Sequence, residues 1–153
     1  MAIMNNNTQL SEHFALGEFT QSKHPEVYNV PTYQAIENLK RLCVWLEALR
    51  ERYNTMYGAN SPIIINSGYR SPQLNKKVGG VSTSNHVTGC AVDIRCSGAE
   101  QAIDYAFILK AYAKERQQDF DELLIEKNDY GSYWVHFAVR PSNNRRKVRI
   151  MKG

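Results

Sequence analysis

Ser84-Asn85-His86-Val87-Thr88-Gly89-Cys90-Ala91-Val92-Asp93, answered further along by Trp134-Val135-His136-Phe137, is the stretch from which the rest of the chain can be read. Two imidazoles and one carboxylate, each among small or apolar residues, form the ligand set of a catalytic zinc site. Three protein ligands leave the fourth tetrahedral position for water, which predicts a hydrolase. His86 follows a Ser/Thr/Asn stretch and is expected on a loop. Asp93 interrupts the strand-like run Cys90-Ala91-Val92-Asp93-Ile94, where a carboxylate needs a partner because an unpaired buried charge is costly. Alternation along one straight strand would send His86 and Asp93 to opposite faces. Gly89 supplies the bend that lets both reach one point.

The flanking segments read as alternating helices and strands. Leu10 to Thr20 has short helical character. Pro31 opens a helix to about Tyr53, in which Ile36, Leu39, Leu42, Leu46 and Leu49 form one apolar stripe at helical spacing. Asn54 to Ser61 reads as a loop and Pro62 to Asn66 as a strand. Ser71-Pro72 starts a short helix through Lys77, and Gly79-Gly80 ends it. Ala99 to about Arg116 is a second long helix with Ile103, Phe107 and Tyr112 as inward candidates. Phe120 to Glu126 and Trp134 to Val139 are expected to pair as an antiparallel hairpin, and Val148 to Met151 reads as a last strand.

With 153 residues, 42% of them hydrophobic and 22% charged, the chain is expected to be one folded domain with a real core. Residues 1–9 read as a flexible start and residues 10–153 as the domain. The net charge of +4 is scattered except at Asn143-Asn144-Arg145-Arg146-Lys147-Val148-Arg149. That cluster is compatible with nucleic acid or an anionic envelope, but no nucleic-acid motif accompanies it and a solvated tail or last strand is the commoner role. The count of 3 cysteines (Cys43, Cys90, Cys96), without a Cys-x-x-Cys pair, argues against a disulfide framework and a thiolate metal site. All three are expected as buried small hydrophobes, with Cys90 pointing away from the metal. His13 and His24 are read as surface residues. The polar start Met1 to Asn7 carries no signal peptide pattern, and no apolar stretch reaches membrane-spanning length. Synthesis in the cytoplasm is expected.

The Ser-x-His-x3-Gly-x-Ala-x-Asp pattern of residues 84–93 resembles that of the zinc-dependent D-alanyl-D-alanine peptidases of bacterial cell walls, whose fold is shared with lysostaphin-type enzymes and the hedgehog signalling domain. Ile63-Ile64-Ile65-Asn66-Ser67-Gly68-Tyr69-Arg70-Ser71 resembles the strand and turn that precede the first ligand in that family, and Trp134-Val135-His136 the block that holds the last. The similarity runs from about Leu10 to Arg146. It implies an α+β domain, a small antiparallel sheet flanked by helices, and one zinc ion held by His86, Asp93 and His136. It also implies that Arg70 holds a substrate carboxylate or carbonyl, a task suited to its planar and permanently charged fork. Ser84 fits the motif too, either as a substrate contact or as a turn hydroxyl bonding local backbone.

Many relatives place an acid three residues before the last His as general base, but here that position is Tyr133. If the hairpin pairs with an even index sum, Glu126 and His136 share a face, opposite or diagonal within roughly 8 Å. The resemblance extends to some phage and mobile-element relatives that carry Glu at the end of such a strand rather than next to the His. Glu126 is therefore expected to be the base, with Asp129 as the fallback. Trp134 alternates onto the His136 face, either to wall the cleft and stack on substrate or to pack in the core.

The resemblance implies hydrolysis of a D-Ala-D-Ala or L-Ala-D-Glu bond in the peptidoglycan stem peptide. It implies a monomer without nucleic-acid or membrane partners, which acts on the wall after release, as a phage lysin or mobile-element product does. The competing reading is a non-catalytic zinc module of the same fold that serves partner binding.

Overall fold

The computed structural model of the protein describes residues 4–150. Four helices are present among them: α1 (Gly17–Thr20), α2 (Tyr33–Tyr57), α3 (Pro72–Lys77) and α4 (Ala99–Arg116). Five strands, β1 (Ile65–Ser67), β2 (Ala91–Cys96), β3 (Glu122–Lys127), β4 (Tyr133–Ala138) and β5 (Lys147–Ile150), form one sheet in the order β1-β2-β4-β3-β5. The chain is a single α+β domain with this mixed sheet flanked by helices.

Helix α2 starts where the Thr32 hydroxyl accepts the Ala35 N–H at 3.1 Å, so Pro31 lies just outside it. All five residues of the expected stripe, Ile36, Leu39, Leu42, Leu46 and Leu49, are buried. Truncating any one of the fully buried leucines to alanine would cost about 2–5 kcal/mol. The helix outlasts its expected end at Tyr53 because the rings of Tyr53 and Tyr57 pack 4.9 Å apart and the Tyr57 hydroxyl bonds Asp104 on α4. It stops at Gly58, whose φ of 59° closes the last turn.

Helix α4 has the bounds expected, but not the expected inner face. Tyr112 is buried with Ala102, Tyr105, Ile108, Leu109 and Ala113, while Ile103 and Phe107 are exposed at 56% and 67%. The two tyrosines lie seven residues apart and carry the larger packing surface: Tyr105 meets Tyr53, and Tyr112 meets Trp45 edge-on with ring centroids 5.2 Å apart. Turning that stripe inward turns Ile103 and Phe107 out.

Four of the five strands pair antiparallel, as expected for the small sheet, and β5 adds itself parallel to β3. Both edges of β4 are occupied, by β2 and β3; the chain reverses after β4 and takes the free edge of β3, where it runs in the direction of β3. Met151, the last residue of the expected strand, lies outside the described residues, as do residues 1–3 of the expected flexible start. Within that start, the carbonyls of Thr8 and Asn6 accept N–H groups of Leu16 and Gly17. Only Gly17–Thr20 of the leading segment is helical. The preceding residues form a loop closed at Gln9 and Ala15, with Phe14 and Phe19 in the core.

Alternation divides the sheet. Val92 and Ile94 of β2, Val135 and Phe137 of β4, and Leu123 and Ile125 of β3 join the core shared with α2 and α4, as when Phe137 packs 5.2 Å from Trp45. The intervening residues Asp93, His136, Glu122 and Glu126 lie on the opposite face.

Candidate metal centre

His86 stands on a single 3-10 turn, Asn85–Thr88, capped at its start by the Ser84 hydroxyl accepting the His86 N–H at 3.2 Å. Gly89 ends the turn with a φ of 76°, and a Cβ there would come within 2.5 Å of the Ala35 carbonyl oxygen. Both facts call for glycine. The chain then enters β2 and delivers Asp93 beside the turn. His86 Nδ1 lies 2.7 Å from the carbonyl oxygen of Gly68. A carbonyl only accepts, so Nδ1 carries the proton and Nε2 presents its lone pair. Nε2 is buried, makes no hydrogen bond, and lies 3.3 Å from Asp93 Oδ2.

Asp93 of β2 sits directly opposite His136 of β4, with Oδ1 3.0 Å from His136 Nδ1. The other ring nitrogen, Nε2, lies 2.9 Å from Glu122 Oε1. Burial alone would raise the Asp93 carboxyl, but the neighbouring His86 and His136 outweigh it and hold the group ionised well below the usual carboxylate range. Burial likewise pulls His136 down, yet its hydrogen bonds to Asp93 and Glu122 lift it to about 9.

One ligand atom from each of His86, Asp93 and His136 can be chosen so that all lie within 4.8 Å of one another. The set fits zinc. It offers two nitrogens and one oxygen, an orphaned buried lone pair aimed at the cluster, and an outer acceptor for each imidazole, Gly68 O for His86 and Glu122 for His136. Metal at Nδ1 of His136 would replace the proton that this nitrogen shares with Asp93.

The remaining candidates surround this cluster. Arg70 follows β1 and is held in place by its backbone N–H to the His86 carbonyl at 3.0 Å, by Nε to Ser67 Oγ at 3.3 Å and by Nη1 to Asn75 Oδ1 at 3.0 Å. Its Nη2 is 3.6 Å from Asp93 Oδ2. Glu126 is half-buried on β3, opposite Trp134, and lines one cleft with His136 and Ser84. Burial and the charge of Asp93 raise its carboxyl, partly offset by His136 and by a hydrogen bond from the Trp134 side chain. Trp134 thus reaches the site face, and the Ser84 hydroxyl is engaged by backbone. Asp129 is exposed in the turn joining β3 and β4, whereas Tyr133 packs against the core. All three cysteines are buried and free, and none belongs to the metal cluster.

Two residues that sequence reasoning passed over complete the site. Glu122 accepts from Asn85 Nδ2 at 2.7 Å as well as meeting His136, and these bonds hold its carboxyl at about 2. Asp121, fully buried, accepts from Asn85 Nδ2 at 2.8 Å, from Arg145 Nη2 at 2.8 Å and from the Arg145 backbone N–H at 3.0 Å, with Arg140 Nε 3.2 Å away. A signal existed for Glu122. The observed pairing of Leu124 with His136 makes residues 122 and 126 the two diagonal neighbours of His136, so the even-sum argument favoured both equally. Arg145 and Arg146 of the basic cluster are engaged by Asp121, Glu122 and Asp119.

A five-stranded sheet flanked by helices bears a His-Asp-His cluster that could hold a metal ion, with His136 lining a cleft. The family model of Peptidase M15 matches residues 12–136, most of the chain, and the protein belongs to that family of zinc-dependent peptidases. It is a metallopeptidase. No curated protein matches the chain.

Proposed function

We propose that this metallopeptidase hydrolyses a peptide bond in the peptidoglycan stem peptide, D-Ala-D-Ala or L-Ala-D-Glu, as a phage or mobile-element member of the family working on the wall outside the cytoplasm. The observation that carries the hydrolytic part is the buried, unbonded Nε2 of His86 facing Asp93 and His136, with the raised carboxyl of Glu126 on the same sheet face. Zinc held by His86, Asp93 and His136 would supply Lewis-acid activation of the scissile carbonyl and of the attacking water.

The chain's own residues do the rest. Glu126 takes the proton of the attacking water and passes it to the leaving amine. Its partial burial brings the carboxyl closer to the working pH, which suits both halves of that transfer. The Trp134 side chain lies beside Glu126, whose carboxyl it lowers, and its ring lines the neighbouring cleft. Glu122 fixes the ring of His136, and Gly68 fixes that of His86. Arg70, held by Ser67 and Asn75, keeps its fork beside the cluster, where it anchors a carbonyl or carboxylate of the peptide. A non-catalytic zinc module would leave Glu126 without a task. The engagement of Arg145 and Arg146 by carboxylates speaks for a structural role of the basic cluster rather than nucleic-acid binding. No described helix is long and apolar enough to cross a membrane, and a monomer that meets only its peptide substrate is part of the proposal.

The test is to incubate the zinc-loaded protein with soluble wall fragments, with and without a chelator, and to identify products by mass. Chelator-sensitive cleavage is expected, and the new termini name the bond. Intact fragments in both arms would overturn the proposal.

A further inference from the structure

The cleft that holds Glu126 and His136 is one of two along the sheet face. At the end of the sheet where β3 turns into β4, a second cleft of about 860 Å³ is lined by Lys23, Asn66, Arg95, Asn128, Tyr130 and Trp134, among others. Strand register ties it to the metal centre. Asp93 pairs with His136 and Arg95 with Trp134, so Arg95 stands two residues along the same face of β2 from a metal ligand. That is about 7 Å, the span of two residues of extended peptide.

The two clefts differ in charge. The one at Glu126 contains Glu122 and Glu126 beside its basic residues, whereas the one at Arg95 contains Lys23 and Arg95 and no acidic residue. Arg95 donates Nε to Asn66 Oδ1 at 3.2 Å, which steadies the guanidinium, and neither it nor Lys23 pairs with a carboxylate among the described residues. The two Nη groups therefore remain available as a fork for an oxyanion, with Lys23 adding a point charge. Tyr130, almost fully exposed at 93%, and Trp134 supply flat apolar walls on which a peptide backbone can lie.

We infer that the cleft at Arg95 is a substrate subsite for an acidic residue close to the scissile bond, its carboxylate held by Arg95 and Lys23. The inference rests on the reading of the metal centre as a peptidase that acts on the stem peptide, and it adds that the substrate reaches past the metal towards the β3–β4 turn. The carboxylate is bound as an anion, so binding should weaken with salt.

The test uses two soluble pentapeptide stems that differ at one group, the free carboxylate of the D-isoglutamate residue against its amide. The zinc-loaded wild-type protein should show a KM about tenfold lower for the acid than for the amide, as expected for one charge-assisted pair. Arg95→Ala should raise the KM for the acid to that of the amide with little change in kcat, Lys23→Ala should do so in smaller measure, and Arg95→Glu should invert the preference. Zinc content and thermal unfolding of each variant report on folding. Equal KM values for acid and amide in the wild type, or an acid preference that survives Arg95→Ala, would overturn the subsite. In parallel, the zinc-stripped protein is titrated with both peptides by calorimetry. An Arg95-dependent acid preference there without any cleavage by the loaded protein would sink the hydrolytic reading and leave the subsite standing. Cleavage without such a preference in either assay would do the reverse.

Discussion

The two ends of β3 present the same side chain to the same histidine, and the molecule treats them in opposite ways. Glu122 and Glu126 are both diagonal neighbours of His136 on one face of the sheet. Glu122 is bonded by His136 and Asn85 and held at about 2, whereas burial and Asp93 push the Glu126 carboxyl up. Position on the strand gives both access to the metal centre. In the mechanism we propose, their partners would assign one to orient a ligand and the other to exchange protons, since a fully bonded carboxylate is a poor base and a desolvated one is a good one.

Exchanging each glutamate for its amide tests this division most strongly. Glu126→Gln should lower turnover by about 10²–10⁴-fold while zinc content stays that of the wild type; a variant that still turns over normally would move the base elsewhere, with Asp129 next in line. Glu122→Gln should leave the chemistry in place when zinc is saturating but weaken zinc binding about 10–100-fold in a competition titration. If instead Glu122→Gln abolished turnover at full zinc occupancy, the two roles would have to be swapped.

The buttress behind Glu122 is the next place to press. Asp121 is held at about 2, below its ordinary value of 3.8, by Arg145 and Asn85 in spite of its burial. A depressed carboxyl contributes stability that is present above its unfolded value and is lost as pH falls towards its folded one. Unfolding free energy should therefore drop as pH goes from about 4 to about 2, and Asp121→Asn should flatten that drop at a cost of about 2 kcal/mol at neutral pH. Chemical denaturation across that range would measure both. The smallest effect is expected at Trp134→Phe, which removes the hydrogen bond that lowers Glu126. The acid limb of the kcat/KM profile should move to higher pH, and no movement would detach Trp134 from the base.

The candidate ligand set was legible because its residue types are unusual for where they sit: Asp93 and His136 inside apolar strands and His86 on a short turn. The helix stripe of α2 was legible for the same reason, in that Ile36, Leu39, Leu42, Leu46 and Leu49 leave one arrangement open. The inner face of α4 was not, since apolar residues recur all round it and only the tyrosine contacts made by its neighbours choose between Tyr105 and Phe107. Strand parity brought Glu126 to the face of His136 but treated Glu122 alike, and what separates them is the bonding of Glu122 to His136 and to the Asn85 side chain, which arrives from a distant turn. The direction of β5 and the neutralisation of Arg145 and Arg146 depend on which sheet edge is free, a property of the assembled sheet and not of any local segment.

Gly68 ties His86, the first of the candidate ligands, to the N-terminal arm. Its carbonyl accepts from His86, the next residue's N–H donates to Phe19 O at 2.7 Å, and a Cβ at position 68 would stand 2.7 Å from that same oxygen. The N-terminal arm therefore leans on the loop that aims the imidazole, and the docking of the arm and the loading of the metal become linked equilibria. By thermodynamic reciprocity, anything that loosens the arm lowers metal affinity, and metal loading in turn shields the arm from a protease.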